Sequence, residues 1–312
     1  MTLVASKMPR KFPRLPRGVD RFFQIDSETR MLGQCFWQGE PRQHPTLVMI
    51  HGLEGSVKSS YMCGTGEKAF AAGFNVVLMN QRNCGGTEHL SPTLYNSGLS
   101  DDYRAVVTEL IERDGLREVF VGGYSMGGNL ALKMAGEMGE AAPPQLRGVA
   151  VVCPSLDLAG CADALAEPRN AFYEWHFMRN LRKRYRRKVE LYPQKFQLNG
   201  VHRLRTVREF DDVITAPYCG YRDAVDYYDR ASALRVIGRI HVPTLIITAE
   251  DDPFIPVAPF ADPALAANPN IQLVITQHGG HCGFISRYEG PDRFWAEARI
   301  VEFCRAKSQI KN

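Results

Sequence analysis

The chain has 312 residues, of which 45% are apolar and 23% are charged, and its formal net charge at pH 7 is +4. These are the proportions of an ordinary globular protein. No apolar run approaches the ~18 residues needed to cross a bilayer, which excludes a transmembrane helix. No internal repeat or low-complexity tract is present, so a repeat architecture is excluded as well.

The N-terminal segment and the cysteines indicate a compartment. Residues 1–18 are basic and contain prolines but no apolar stretch, which predicts a basic arm and not a secretory signal. The eight cysteines are scattered without a C-x-x-C spacing, and Cys153, Cys282 and Cys304 stand in apolar surroundings. We therefore expect reduced thiols in the cytoplasm, and neither a disulfide framework nor a zinc site.

The apolar pattern predicts an α/β fold built on a doubly wound, mostly parallel sheet. Residues 19–40 have the alternation of an antiparallel hairpin. Short apolar runs predict buried strands at 47–50, 76–79, 119–121, 149–152, 245–248 and 271–275. Helices are predicted between several of these strands, and this alternation is typical of a parallel sheet covered on both faces.

Two helices have clear boundary signals. Ser100 is predicted to cap a helix whose apolar residues recur at helical spacing, and Asp114 and Gly115 are predicted to end it. Pro291 is predicted to open the final helix.

One long segment interrupts the alternation of strands and helices. Residues 154–239 are rich in aromatic side chains and are too many for a structureless loop. We interpret them as a helical cap inserted into an α/β core of residues 19–153 and 240–312. Residues 1–18, the basic arm, precede this core.

The strand at 119–121 leads into the sequence Gly122-Gly123-Tyr124-Ser125-Met126-Gly127-Gly128-Asn129. The apolar residues that follow predict a helix. A strand, a sharp turn and a helix form the context in which G-x-S-x-G exposes a nucleophilic serine. Ser125 is therefore the candidate nucleophile, and the flanking glycines permit the close approach of strand and helix.

A serine hydroxyl needs a general base at neutral pH. His281 follows the last predicted strand among glycines and is the candidate base, with His278 as its competitor. If His281 must be neutral to accept a proton, the rate is expected to rise with pH through a pKa near ~6.5.

An acidic side chain should orient the imidazole. Asp252 follows the penultimate strand and precedes Pro253, and it is the candidate acid; Asp251 and, less strongly, Asp157 are alternatives. The chain order Ser, Asp, His matches the order that this type of nucleophile turn requires.

The oxyanion of the reaction needs two backbone N–H donors. Met126 directly follows the nucleophile and is predicted to supply one donor. The other is predicted to come from Leu53, in the loop after the strand at 47–50, where Gly52 lets the backbone approach the substrate. His51 is interpreted as a structural residue of this turn.

Four motifs together resemble the α/β-hydrolase superfamily and, within it, the YheT-like esterase branch. They are HGLEGS at 51–56, GYSMGGN at 123–129, DDP at 251–253 and GGHCGF at 279–284. The similarity runs from about Phe22 to the final helix. One departure is Asn83, where the branch usually has glycine.

The resemblance implies a hydrolase of carboxylic esters with a Ser–Asp–His triad and with no metal or organic cofactor. The substrate is expected to be a small-molecule ester with a short to medium acyl chain. The alternatives are an acyltransferase to alcohols that uses the same triad, since some eukaryotic relatives act in this way or on lipids, and a catalytically retired binding module.

A basic block lies inside the predicted cap. Residues 176–208 contain eleven Lys or Arg residues and one acid, so the rest of the chain sums to −6. The block has no nucleic-acid-binding motif, and no specific nucleic-acid partner is expected.

Helical spacing divides the residues of the block between two faces. One apolar stripe is expected to face the pocket, whereas the basic residues are expected on other faces, in contact with solvent or with anionic lipid. The stripe comprises Phe177, Leu181, Tyr185 and Val189, and the basic residues named on the other faces are Arg179, Arg182, Lys183, Arg186 and Arg187.

Overall fold

The computed structural model describes residues 8–198, 200–287 and 293–310. Within these residues, eight strands form one sheet in the order β1-β2-β4-β3-β5-β6-β7-β8. The strands are β1 (Val19–Gln24), β2 (Arg30–Phe36), β3 (Thr46–Ile50), β4 (Asn75–Met79), β5 (Val119–Tyr124), β6 (Leu146–Val152), β7 (Thr244–Ala249) and β8 (Ile271–Thr276).

The sheet has an antiparallel end and a parallel body. β1 pairs with β2 and β2 pairs with β4 in antiparallel register, whereas the pairs from β4 through β3, β5, β6 and β7 to β8 are parallel. Every residue of β3, β4, β5 and β7 is buried. This burial explains their uninterrupted apolar runs. The predicted hairpin, the predicted strands and the mostly parallel sheet are confirmed, except that β8, at the edge of the sheet, has no buried residue.

Helices cover the sheet and fill the long connection between β6 and β7. α1 packs against α10, and α2 packs against α3. The helices are α1 (Ser60–Ala71), α2 (Ser100–Glu112), α3 (Met126–Met138), α4 (Leu158–Leu165), α5 (Ala171–Leu191), α6 (Val207–Phe210), α7 (Ala216–Tyr218), α8 (Ala224–Ala231), α9 (Pro263–Ala266) and α10 (Trp295–Lys307).

Of the two predicted helix starts, one is wrong and the other lies outside the described residues. Ser100 does not cap α2 but is its first residue, and its hydroxyl donates to Glu137 and Gly98, so the prediction of a side-chain cap is wrong. α2 ends at Glu112, and Gly115 beyond it has a φ of +70°, as the predicted stop requires. Pro291 lies outside the described residues, and α10 begins at Trp295.

The connection between β6 and β7 holds α4 to α8, and a π-helical stretch, Asp211–Thr215, joins α6 to α7. Its longest helix, α5, buries Met178, Leu181 and Tyr185. These residues contribute to the same apolar cluster as the sheet. The insertion is therefore packed onto the carboxyl edge of the sheet, although its limits at residues 154 and 239 stay a prediction.

The described part of the basic arm also packs against the core. Arg10 makes two hydrogen bonds to the carboxylate of Glu297 on α10, at 2.6 and 2.8 Å, and its guanidinium lies 3.5 Å from the centre of the Phe294 ring. The backbone N–H of Arg14 donates to Glu67 on α1 at 2.9 Å. This arm therefore fastens α1 to α10. None of the helices in the described ranges has the length and apolar character that crossing a membrane demands.

Candidate active site

Ser125 lies at the turn between β5 and α3. Its backbone has a φ of +54° and a ψ of −122°, a conformation that side chains with a Cβ rarely adopt. A Cβ on Gly123 would lie 2.3 Å from the carbonyl oxygen of Gly127, and one on Gly127 would lie 2.4 Å from that of His51. Both glycines are therefore required by the close packing of strand, turn and helix, and the strained conformation is of the kind found at functional sites.

The loop after β3 lies against this turn. A Cβ on Gly52 would lie 3.1 Å from the Cβ of Ser125, so glycine brings the two backbones close together. Leu53 and Met126 line the same cavity as Ser125. The chain places both predicted oxyanion donors beside the candidate nucleophile, and their role as donors stays a prediction.

His51 has the structural role that its place in the turn suggests. Its Nδ1 lies 2.7 Å from the carbonyl oxygen of Gly52, and its Nε2 accepts from the backbone N–H of Gln81 at 3.1 Å. Burial lowers the pKa of His51 to about 4. With both ring nitrogens engaged in holding two strand ends together, the imidazole is not placed to act as a second base.

Asp252 and His281 form a buried pair. Nδ1 of His281 lies 2.9 Å from Oδ2 of Asp252, whose side chain is fully buried. The other carboxylate oxygen accepts from the backbone N–H groups of Phe254 and Ile255, at 3.1 and 3.0 Å. The Phe254 ring packs 4.2 Å from the imidazole, centre to centre. The turn that contains Pro253 thus fixes the carboxylate, and the carboxylate fixes the imidazole.

The alternatives to this pair have other partners. Asp251 accepts from the backbone N–H groups of Gly279 and Gly280, at 2.8 and 2.6 Å, and lies 3.6 Å from the exposed His278. Asp157 accepts from Ala159 and caps α4. Asp251 therefore holds the backbone of the loop that precedes His281, and Asp157 caps the start of α4.

The environment of His281 changes its expected titration. Burial by itself lowers the pKa of the imidazole, but the charge and hydrogen bond of Asp252, together with the neighbouring Cys153, outweigh burial and raise the pKa above the ordinary 6.5. The expectation of a rate that rises through ~6.5 is therefore corrected. A base with a raised pKa becomes neutral, and so able to accept a proton, only at higher pH.

Ser125 lies between two open cavities. The first, of about 1010 Å³, lies under the insertion and has mostly apolar walls that include Leu158, Leu181 and Phe210. The second, of about 1530 Å³, is also lined by His281 and by the start of α5. The serine can thus be reached from one side by an apolar chain and from the other by a second group.

Two basic residues of α5 turn inward, which the sequence analysis did not identify. Arg184 makes a two-pronged ion pair with Glu54, at 2.9 and 3.0 Å, and Tyr95 donates to the same carboxylate. Lys188 is fully buried and donates to the carbonyl oxygen of Glu88 at 3.1 Å. Both share the helical phase of Leu181, which is the local signal that marks them as inward-facing.

One residue of the predicted solvent face of α5 is not exposed. Arg179, Lys183, Arg186 and Arg187 are exposed, but Arg182 is only half-exposed and donates to the carbonyl oxygen of Leu204. That contact joins α5 to the segment before α6. Arg182 is therefore part of the packing of the insertion.

Asn83 stands where the resemblance leads us to expect glycine. Its φ is +64°, which is the left-handed region, and Asn is one of the few other residues that tolerate it. Its amide donates to the carbonyl oxygen of Thr93 at 2.7 Å, and the residue lines the first cavity. The substitution thus keeps the backbone conformation and adds a polar side chain to the cavity wall.

Comparison with known proteins shows the family and the fold of the chain. A family described as "alpha/beta hydrolase fold" matches residues 45–288, and the chain belongs to this family. The solved structure of the Pyrococcus furiosus esterase Pf2001 superposes with a TM-score of 0.61 at 17% identity, over 93% of this chain and 92% of that chain. This likeness shows the shared fold.

Sequence relatives place the chain in the YheT-like esterase branch of the family. The Escherichia coli (strain K12) protein named "Putative esterase YheT" is 31% identical over 310 residues, which are 98% of this chain and 90% of the relative. The phospholipase ABHD3 of Mus musculus is 29% identical over 242 residues, or 77% of this chain and 58% of the relative. The matched region thus spans less than two thirds of the mouse protein's length.

Proposed function

We propose that the protein is a serine hydrolase that cleaves carboxylic esters through an acyl-enzyme on Ser125, with His281 as the base and Asp252 as the orienting acid. The observation that carries the proposal is the 2.9 Å contact between His281 and Asp252, in a loop pair that lines the same cavity as Ser125. A buried carboxylate that holds an imidazole beside a strained serine is the arrangement that activates a hydroxyl.

The chemistry proceeds in two halves. The Ser125 oxygen attacks the ester carbonyl while its proton passes to His281, and the resulting oxyanion accepts from the N–H groups of Leu53 and Met126. The tetrahedral adduct then expels the alcohol, which takes the proton from His281. Water, deprotonated by the same imidazole, attacks the acyl-enzyme and releases the carboxylic acid and free Ser125.

The shape of the site favours an ester with an apolar acyl group of short to medium length. The cavity under α5 has mostly apolar walls, which suit an acyl chain. The second cavity, on the side of His281, suits the alcohol portion. A phospholipase among the relatives is consistent with an ester of a lipid-like alcohol.

We further propose that α5 presents the site to anionic lipid surfaces. Exposed Arg179, Lys183 and Arg186 lie on this helix, and its first turn exposes Phe172 and Trp175, which are 52% and 55% exposed. Phe172 also lines the second cavity. Aromatic rings beside basic residues suit the boundary between water and lipid.

A covalent probe tests the catalytic proposal directly. A fluorophosphonate reacts only with an activated serine, so the wild-type protein is expected to be labelled once and to lose esterase activity in step. Ser125→Ala should fold normally, escape labelling and lose several orders of magnitude in kcat, because triad members act as a unit. Mass spectrometry of the labelled peptide identifies the residue.

Ser155→Ala is the matched control, because Ser155 lines the same cavity and its backbone N–H bonds to the carbonyl of Ser125. It should retain labelling. A folded wild-type protein that the probe leaves unlabelled would contradict the proposal and leave a binding module. For the substrate class, p-nitrophenyl esters from acetate to palmitate should give the highest kcat/KM at intermediate length.

A further inference from the structure

Three side chains with soft metal-binding atoms meet behind the candidate active site. One ligand atom from each of Cys153, His281 and Cys282 lies within 4.8 Å of the other two. Cys153 directly follows β6, and the other two lie in the loop after β8. In the part of the chain that the structure describes, no other trio of His, Cys, Asp or Glu side chains is close enough to share a metal ion.

The backbone directs both thiols toward this point. Cys153 has a φ of +44° and Cys282 one of +59°, in the left-handed region that residues with a Cβ seldom adopt. Each sulfur reaches across to the other segment: Sγ of Cys153 lies 3.7 Å from the carbonyl oxygen of Gly280, and Sγ of Cys282 lies 3.9 Å from that of Val152. Two strained turns thus converge on one place.

Packing alone does not account for Cys282. The Cys153 side chain is fully buried. Cys282 is only half-buried and lines the second cavity together with Ser125. A small cation entering that cavity therefore meets His281 and Cys282 first.

The ligand set matches the preferences of zinc. Two cysteines and one histidine form a known three-ligand zinc set that leaves a fourth position open. With Zn–S and Zn–N bonds of about 2.3 and 2.0 Å, tetrahedral ligands stand roughly 3.5 Å apart, so the trio must contract by at most about 1.3 Å. The Asp252 contact on Nδ1 is the carboxylate–histidine arrangement that orients a metal-binding imidazole.

We propose that Cys153, His281 and Cys282 form an inhibitory site for a soft divalent cation such as Zn²⁺. Binding releases the two thiol protons and, where the imidazole is protonated, one imidazolium proton, and it forms two metal–sulfur bonds and one metal–nitrogen bond. The imidazole that must accept the proton of Ser125 is then coordinated, so hydrolysis stops until the cation is removed. The inhibitory part rests on the proposed function, whereas cation binding does not.

Cobalt provides a readout that needs no turnover. Chelator-treated protein carrying Ser125→Ala is titrated with Co²⁺, whose bonds to thiolates give an intense charge-transfer absorbance that oxygen and nitrogen ligands alone do not. One Co²⁺ per chain with this band is expected, and competition with Zn²⁺ should abolish it. Absence of the band in folded protein would overturn the site.

Two cysteine variants and one control locate the ligands. Cys282→Ser and Cys153→Ser should each weaken Co²⁺ binding at least about 10-fold. Cys219→Ser, which alters a half-buried thiol outside the trio, should not. Cys282→Ser keeps the test valid if the buried Cys153 variant fails to fold. Unchanged binding in folded Cys282→Ser protein would contradict the assignment.

Activity completes the test and separates the two proposals. In the wild type, Zn²⁺ should inhibit ester hydrolysis and a chelator should restore it, whereas Cys282→Ser should need at least about 10-fold more Zn²⁺ for the same inhibition. Inhibition equal in both proteins would overturn the inhibitory role. Co²⁺ binding in a protein that fluorophosphonate does not label would leave the metal site and refute the proposed catalysis.

Discussion

The carboxyl edge of the sheet and the helical insertion above it build opposite sides of one cavity by different means. At the sheet edge, Ser125, Asp252 and His281 each follow the end of a strand, and backbone bonds fix the turns that carry them. In the insertion, Arg184 and Lys183 are neighbours on one helix, yet the first bonds to the loop beside the nucleophile and the second is exposed. The end of a strand fixes where a side chain lies. A side chain on a helix also needs the correct rotation of the helix about its axis to face the cavity.

The sharpest test of the sheet edge compares two adjacent carboxylates. Asp252→Asn keeps a similar shape but removes the charge that holds the His281 tautomer and stabilises its cation, so kcat should fall by about 10⁴-fold. Asp251→Asn should cost much less, because Asp251 bonds to the backbone of Gly279 and Gly280 and lies beside the exposed His278. Steady-state kinetics on folded, purified variants measure both.

The comparison of the two variants distinguishes the roles of the two carboxylates. Equal and small losses in both variants would remove Asp252 from the acid role. An equal and large loss would place the two carboxylates in one functional unit, and the difference that we draw between orienting the imidazole and holding the loop would be wrong.

A second test uses pH. Because the pKa of His281 is raised above 6.5 in the folded protein, the neutral imidazole accumulates only at alkaline pH, and kcat/KM should rise about 10-fold per pH unit well past neutrality. In Asp252→Asn the carboxylate is gone and burial remains, which lowers the pKa. The rising limb of the residual activity should therefore move to lower pH.

The pH profile is measured with a soluble p-nitrophenyl ester, corrected for spontaneous hydrolysis. A rising limb at the same pH in both proteins would contradict the electrostatic coupling between Asp252 and His281. His278→Ala is the matched control, since His278 is exposed and its removal should leave the profile in place.

The sequence predicts the strands and Ser125 but does not decide between Asp251 and Asp252. The strands and the place of Ser125 follow from local pattern, because a strand that ends in G-x-S-x-G has few alternative conformations. Spacing favoured Asp252 but did not exclude Asp251. Two neighbouring carboxylates are distinguished by which backbone N–H groups each one meets, and that depends on the turn through Phe254 and Ile255.

The contact between Cys153 and Cys282 has no local signature, and the contacts of Arg184 and Lys188 have only the helical phase that these residues share with Leu181. Cys153 and Cys282 meet because β6 and the loop after β8 lie close together in space. The local sequence of neither segment predicts this contact. The inward rotation of Arg184 and Lys188 depends on how α5 seats on the core. Charge pattern alone places basic residues in solvent, so the ion pair with Glu54 was missed.

The ion pair of Arg184 is one link between the two regions, and a conservative change breaks it. Arg184→Lys keeps a charge but cannot make both hydrogen bonds to Glu54, the residue after the predicted oxyanion donor Leu53. We expect kcat to fall about 10-fold with little change in KM, since a charged hydrogen bond contributes about 1.5–3 kcal/mol.

Lys183→Arg is the control from the same turn of α5, and it should leave kcat within about two-fold, as surface substitutions usually do. Thermal unfolding of each variant separates a loss of fold from a loss of positioning. If Arg184→Lys lowers only the melting temperature and leaves kcat intact, the ion pair holds the insertion in place without acting on the oxyanion loop.

The smallest effect on catalysis is expected from the outer face of α5, which is proposed to attract anionic lipid. The triple variant Arg179→Gln, Lys183→Gln and Arg186→Gln should lower partitioning onto phosphatidylserine-containing vesicles by roughly 100-fold at low salt, at about 1 kcal/mol per basic residue. Added salt should weaken wild-type binding, since screening acts over about 8–10 Å. Hydrolysis of a small soluble ester should stay unchanged.

The matched control replaces Arg117, Arg239 and Arg305, which are exposed elsewhere, with Gln and removes the same net charge. If both triple variants lose binding equally, the attraction comes from net charge and the outer face of α5 has no special role; if wild type fails to bind even at low salt, this face is simply solvated.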